Sequence, residues 1–317
     1  YHCRILITQG FSDKGLKMAE KTAEMLIKIG ETHNIELAKA YDTIGGINSD
    51  YMLPDKAMAA LNKSKAIKKT YKGEDSSAEL AVTLNRIGRA YFQKKFYEES
   101  YKYYEQAKKH YFDYYGMEHP VTADLYINEG TLFVSMGKLN EGLEYFHKFH
   151  DINLKAFGPN HVNVIHSYFT YGWYYKQEGR LKLALEKTLE GISIEDKVNG
   201  EYTFVNGKMH FQAAALYNEL EKPIQSIQHY KKAINCGLKA PRYAKSGLGD
   251  VPFHYSNLFN QIADLKNFKK YQLISNMTYN KFFGKKHLIT LTIARCIQTV
   301  EMLDDGRGLG AQELYCI

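Results

Sequence analysis

The residues best suited to chemistry are a histidine pair, four cysteines and a glycine run. His147 and His150 stand three apart with Glu144 and Asp151 beside them, so on a helix they would share a face and could approach a divalent metal. That spacing in the interior of a repeat more often faces solvent, so no metal site is expected. Cys3, Cys236, Cys296 and Cys316 lack the paired spacing of a zinc site or a disulfide framework, which favours a reducing, cytoplasmic setting. Gly306, Gly308 and Gly310 form a Gly-x-Gly-x-Gly run, but it follows a helical pattern rather than a strand, which argues against a phosphate-binding loop. The chain has no His-Glu-x-x-His run, Walker loop or Gly-x-Ser-x-Gly elbow. Its carboxylates are plentiful but unpaired. Neither catalysis nor a cofactor is expected.

The elements that must position these residues are helices. Only 6 prolines interrupt 317 residues, and 44% hydrophobic content with 26 tyrosines implies a large aromatic interior. No run of about 18 apolar residues exists to span a membrane. The chain begins at Tyr1 without a signal-peptide pattern, and it is expected to be a piece of a longer protein.

Glycines give the organisation. Gly30, Gly73, Gly116, Gly158 and Gly200 recur about every 42 residues, and Gly284 lies two periods further on. Four of them open a Gly-x-x-His pattern, ending at His33, His119, His161 and His287. Glycine ends a helix in the left-handed conformation without a Cβ penalty, and a polar residue such as Ser77, Thr203 or a histidine can sit at the next N-terminus. Pro120 suits a first helical turn. Between glycines the apolar residues divide into two helical runs, as in 81–93 and 96–111, 125–134 and 139–154, then 164–175 and 181–194. Small residues pair across each hairpin: Gly45 with Ala57, Gly130 with Gly142, Gly172 with Ala184. One such hairpin cannot bury its apolar face alone, so copies must stack.

Ile87-Gly88-x-x-Tyr91, with Ser100, Tyr104 and Ala107 on the following helix, resembles the tetratricopeptide repeat. The 42-residue period and its Gly-x-x-His(-Pro) connector are similar to the longer repeat of kinesin light chains. The resemblance assigns an array to 1–303: a truncated copy over 1–30, clear copies over about 31–240 and irregular copies over 241–303. A tail follows at 304–317, expected to be disordered or truncated. Asp250 with Pro252 is expected to start a helix after the glycine-rich connector 237–250. The fold implied is an all-α, right-handed superhelix with the first helix of each pair lining a concave groove.

That resemblance also selects groove positions three before, one after and five after each glycine place. The columns begin acidic with Asp42, Gly46 and Asp50, become polar with Asn85, Arg89 and Gln93, and continue through Ile127, Thr131 and Ser135. They turn aromatic with Phe169, Trp173 and Gln177, then Phe211, Ala215 and Glu219, then Phe253, Asn257 and Gln261. Trp173, the one tryptophan, has Lys176 and Gln177 as a polar rim, which suits an anchor site. Asn85, Asn128, Asn218 and Asn257 could hold a peptide backbone. The segment 222–286 is rich in Lys and Arg, opposed by only Asp250 and Asp264, and favours an acidic partner segment. The function implied is protein–protein interaction by a scaffold or adaptor, with no specific nucleic acid and no membrane span. The alternative is a ligand-sensing array that regulates an attached nucleotide-binding or effector domain.

Overall fold

A computed structural model describes residues 12–31 and 34–239. They form eleven α-helices and no strand. In order these are α1 (Ser12–Lys28), α2 (Ile35–Asp50), α3 (Pro54–Thr70), α4 (Ser76–Gln93), α5 (Tyr97–Tyr115) and α6 (Pro120–Ser135). There follow α7 (Leu139–Phe157), α8 (Val162–Gln177), α9 (Leu181–Asn199), α10 (Phe204–Glu219) and α11 (Pro223–Lys239). The chain divides into two compact units after Glu178. The expected features at His33, in 237–250 and over 241–317 lie outside the described residues or their described side chains.

Two pieces of local chemistry make a hairpin. The first is a small residue that admits a large one. A Cβ on Gly88 would stand 2.5 Å from the Tyr104 ring, and one on Gly130 would meet Phe146 at 2.5 Å and the Gly142 carbonyl at 2.9 Å. The second is a hydroxyl that ties the helices together: Ser100 Oγ donates to the Gly88 carbonyl at 2.9 Å, and Ser226 Oγ to that of Ala214 at 2.8 Å. Tyr104 and Phe146 are almost completely buried by this fit. Each such side chain contributes about 1.5–3 kcal/mol of hydrophobic stabilisation.

The connectors between hairpins behave largely as the glycine period implies. Gly116 and Gly158 follow α5 and α7 with φ of 83° and 80°, where a side chain would be strained. Their histidines cap the next helix. His119 Nδ1 accepts from the Val121 N–H at 3.2 Å, and His161 Nδ1 from that of Asn163 at 3.2 Å. Each ring also stacks on the last aromatic of the preceding helix, His119 on Tyr115 and His161 on Phe157. Thr203 takes the same role before α10, accepting from the Asn206 N–H at 3.0 Å. Two expectations need correction. Gly73 is not in the left-handed region, and Ser77 does not cap α4: its Oγ meets His110 Nδ1 at 2.9 Å.

A second period runs through the tight turns inside the hairpins. Met52, Lys95, Gly137, Gly179 and Glu221 all have positive φ and recur about every 42 residues. Glycine fills only two of these places, so composition alone hides the set.

In the first unit, buried clusters join neighbouring repeats. Ala81, Leu84, Tyr104, Ala107 and Tyr111 pack with Leu125 and Leu132 of α6, and Val134 and Phe146 pack with Tyr171 and Tyr174 of α8. In the second unit, α10 packs on α9 and α11, burying Met209, Ala213, Ala214, Leu216, Tyr230 and Ala233.

Candidate binding face on the first helices

In the first unit, α2, α4, α6 and α8 are the first helices of successive repeats, and their polar side chains reach across to one another. Asn128 Nδ2 on α6 donates to Asn85 Oδ1 on α4 at 2.9 Å. Arg89 on α4 forms an ion pair with Asp50 at the end of α2, both partly exposed. Gln93 Nε2 donates to the Ser49 carbonyl at 2.8 Å. Further along, Phe169 is half-buried with its ring parallel to that of His166, and Lys176 is half-buried while Gln177 is exposed. Trp173 is half-buried, with its indole edge-on to Phe146 at 6.3 Å, on the cluster of Val134, Phe146, Tyr171 and Tyr174. It therefore packs between repeats and keeps part of its surface open.

In the second unit, Phe211 is half-buried against Tyr230 with ring centroids 5.8 Å apart, and Asn218 is half-buried. Phe253, Asn257 and Gln261 lie outside the described residues.

Asp42 departs from its expected place at the head of the groove columns. It is buried, with Oδ2 2.5 Å from Lys68 Nζ and Oδ1 accepting from Thr83 Oγ1 at 2.8 Å. Lys68 also meets Glu79 Oε2 at 2.7 Å and its carbonyl at 2.8 Å. Gly46 is half-buried beside the Arg86 guanidinium, which a Cβ there would meet at 3.5 Å, and Arg86 donates to the Asp42 carbonyl. A signal for this junction was present: Lys68, Tyr111, Asn153 and Glu195 recur about every 42 residues on second helices, and all are buried.

The histidine pair faces the next helix. His147 Nδ1 meets the Tyr171 hydroxyl at 3.0 Å, and His150 Nδ1 meets Ser167 Oγ at 2.6 Å, so both rings tie α7 to α8. A second buried charge was also missed. Glu129 of α6 lies 2.6 Å from Lys108 Nζ of α5, and burial pushes its carboxyl up to about 7, only partly offset by the ammonium.

With this geometry in view, comparison with known proteins assigns the repeat. Residues 79–141 match the tetratricopeptide repeat family. The helical pairs within that span match tetratricopeptide repeats. Their period of about 42 residues is longer than the common 34. No curated protein matches the chain by sequence. Among solved structures, the chain is similar to the apo form of RapI, with 15% identity, 89% of this chain and 98% of that one covered, and a TM-score of 0.61. It is also similar to BtubC (BKLC) from P. vanneervenii, at 14% identity, 74% and 91% coverage and a TM-score of 0.54. A third is the signal transduction ATPase PH0952 from Pyrococcus horikoshii, which carries a tetratricopeptide repeat sensor; identity is 13%, the TM-score 0.56, and the match covers 91% of this chain but 43% of that one. These likenesses share one fold, an all-α solenoid of repeats. Tetratricopeptide arrays are typically non-catalytic binding modules, because stacked hairpins present extended surfaces for protein partners. No helix among the described residues is long and apolar enough to cross a membrane.

Proposed function

We propose that this chain is a cytoplasmic scaffold or adaptor that binds peptide segments of other proteins along the first-helix face of its tetratricopeptide repeats. The observation that carries the reading is the change of chemistry along that face, from paired polar groups on α4 and α6 to half-buried aromatics on α8. The bond from Asn128 to Asn85 uses one donor and one acceptor of the two amides. Their remaining donors and acceptor suit a peptide backbone, which needs both kinds of partner. Phe169 and Trp173 supply apolar surface for an anchoring side chain, with Lys176 and Gln177 at its edge. The lysine-rich sequence from Lys222 to Lys286 favours an acidic partner segment.

The test is a combined Arg89→Ala, Phe169→Ala and Trp173→Ala variant, used to capture binding proteins from extract beside the unaltered chain. Loss of hot-spot contacts of about 2 kcal/mol or more corresponds to at least tenfold weaker capture. Undiminished capture with unchanged helicity by circular dichroism would rule this face out.

A second reading makes the array a ligand sensor that restrains an attached nucleotide-binding or effector domain. The similarity to the sensor-bearing ATPase PH0952 supports it.

A further inference from the structure

Glu129 is a carboxylate in a place that the other repeats fill with apolar side chains. It directly precedes Gly130, and the matching residues before the other glycine places are Ile44, Ile87, Tyr171 and Ala213. Its side chain is fully buried between α5 and α6. Lys108 Nζ stands 2.6 Å from its Oε1 as an ion pair, but neither carboxyl oxygen is in a well-formed hydrogen bond. That one ammonium is shared, because Lys108 also pairs with Glu105 on the same helix.

The groups facing Glu129 are Glu105, Lys108, Tyr101 and Tyr104 on α5, Tyr145 on α7, and Tyr126 on α6 itself. Lys108 also lies over the Tyr145 ring, 5.6 Å from its centroid. Removing a carboxylate from water penalises its ionised form, and half a share of one ammonium does not restore what hydration supplied. The neutral acid needs no counter-ion and packs here more like the apolar residues of the other repeats.

We propose that Glu129 binds and releases a proton within the folded chain, and that its charge state sets how tightly α6 packs on α5. The neighbouring Asn128 carries the bond to Asn85, so the proton also acts on the face discussed above for partner binding. The joint itself does not depend on that reading.

The sign follows from burial. With Glu129 raised from the ordinary 4.5 to about 7, the folded chain holds the proton more tightly than the unfolded chain. Its stabilising contribution is full below about pH 4.5, declines as pH rises toward about 7, and is flat above that. Burial alone would lower Lys108, but Glu105 and Glu129 outweigh it and hold the ammonium charged throughout.

Urea unfolding of the full chain at a series of pH values from about 5 to about 8, beside Glu129→Gln, tests this directly. Relative to the variant, the unfolding constant of the unaltered chain should rise by up to about tenfold per pH unit until about pH 7, then run parallel. Parallel curves over the whole range would overturn the proposal. Should Glu129→Gln fail to fold, Glu129→Ile, which copies Ile87 of the preceding repeat, serves as the non-titrating reference. Carboxyl ¹³C shifts give a reading on the native chain itself: a Glu129 midpoint near the ordinary glutamate value would also overturn it.

Discussion

At the scale of single residues, the two kinds of glycine in this chain fail for different reasons when changed. Gly130 lies inside α6, where alanine would gain about 1 kcal/mol of helix propensity. Its Cβ, however, would stand 2.5 Å from Phe146 and 2.9 Å from the Gly142 carbonyl, and a backbone atom cannot rotate away. Overpacking of this sort costs about 1–3 kcal/mol, so Gly130→Ala should be destabilising in spite of the propensity gain. Gly158 has open space around it but a φ of 80°, so Gly158→Ala should cost about 1–2 kcal/mol through the backbone alone. A further substitution separates them: adding Phe146→Leu should recover part of the loss in Gly130→Ala in urea unfolding, the Gly142 carbonyl keeping the rest, and give no recovery in Gly158→Ala. Equal response of both would mean that the close approach at Gly130 is not what limits it. The sequence exposed these glycines by their period, but it could not tell which groove-column residues stay accessible. Asp42 and Asn85 occupy equivalent places, yet Lys68 draws the first into the interior, and only the partner on another helix decides that.

At the scale of elements, helices were legible wherever apolar residues repeat, but that periodicity alone placed their starts late, and caps such as His119 with Pro120, His161 and Thr203 marked them better. The apolar run from Ala81 belongs to a helix that begins at Ser76, and the run from Leu125 to one that begins at Pro120. First turns are polar and capped from outside, so periodicity begins late. The α10–α11 hairpin hides another feature that spacing does not reveal. His210 Nδ1 and His229 Nδ1 stand 3.0 Å apart across it, and His229 lies against the Tyr217 ring. One nitrogen must donate and the other accept, so the bond survives only while at least one ring is neutral. Burial pushes His210 down to about 3 and His229 to about 4, with Lys232 adding repulsion at both. Because the folded values lie below the ordinary 6.5, the unfolded chain binds more protons, and stability present above about pH 6.5 is lost as pH falls toward about 4. Amide exchange in α10 and α11 should therefore speed up on acidification relative to a His210→Gln, His229→Gln double variant compared at the same pH. Glu129 acts in the opposite direction over much of this range, so global unfolding alone would blend the two. If exchange in the hairpin has the same acid dependence with and without the histidines, the pair is not its source.

At the scale of the whole molecule, a repeat array is held by neighbour contacts, so its stability is approximately a sum of repeat and junction contributions. In the first unit those junctions use different chemistry. The α2–α3 hairpin is joined to α4 through Lys68, Asp42, Glu79 and Thr83; α5 meets α6 through Lys108 and Glu129; α7 meets α8 through His147, His150 and their hydroxyl partners. Buried ion pairs of this type add little net stability over apolar packing, but leaving one partner alone is strongly unfavourable. Lys68→Ala should therefore cost about 3–5 kcal/mol, concentrated at one junction, because it strands the buried Asp42 carboxylate. Neighbour coupling dictates where the damage travels. Amide exchange in α2 and α3 should accelerate by about a hundredfold or more, while α7 and α8 keep their protection. Adding Asp42→Leu to Lys68→Met removes the stranded charge and should recover most of the loss, which simple truncation of packing would not. A uniform drop in protection across α2 to α8 would show instead that the first unit unfolds as one cooperative body and that its junctions are not separable.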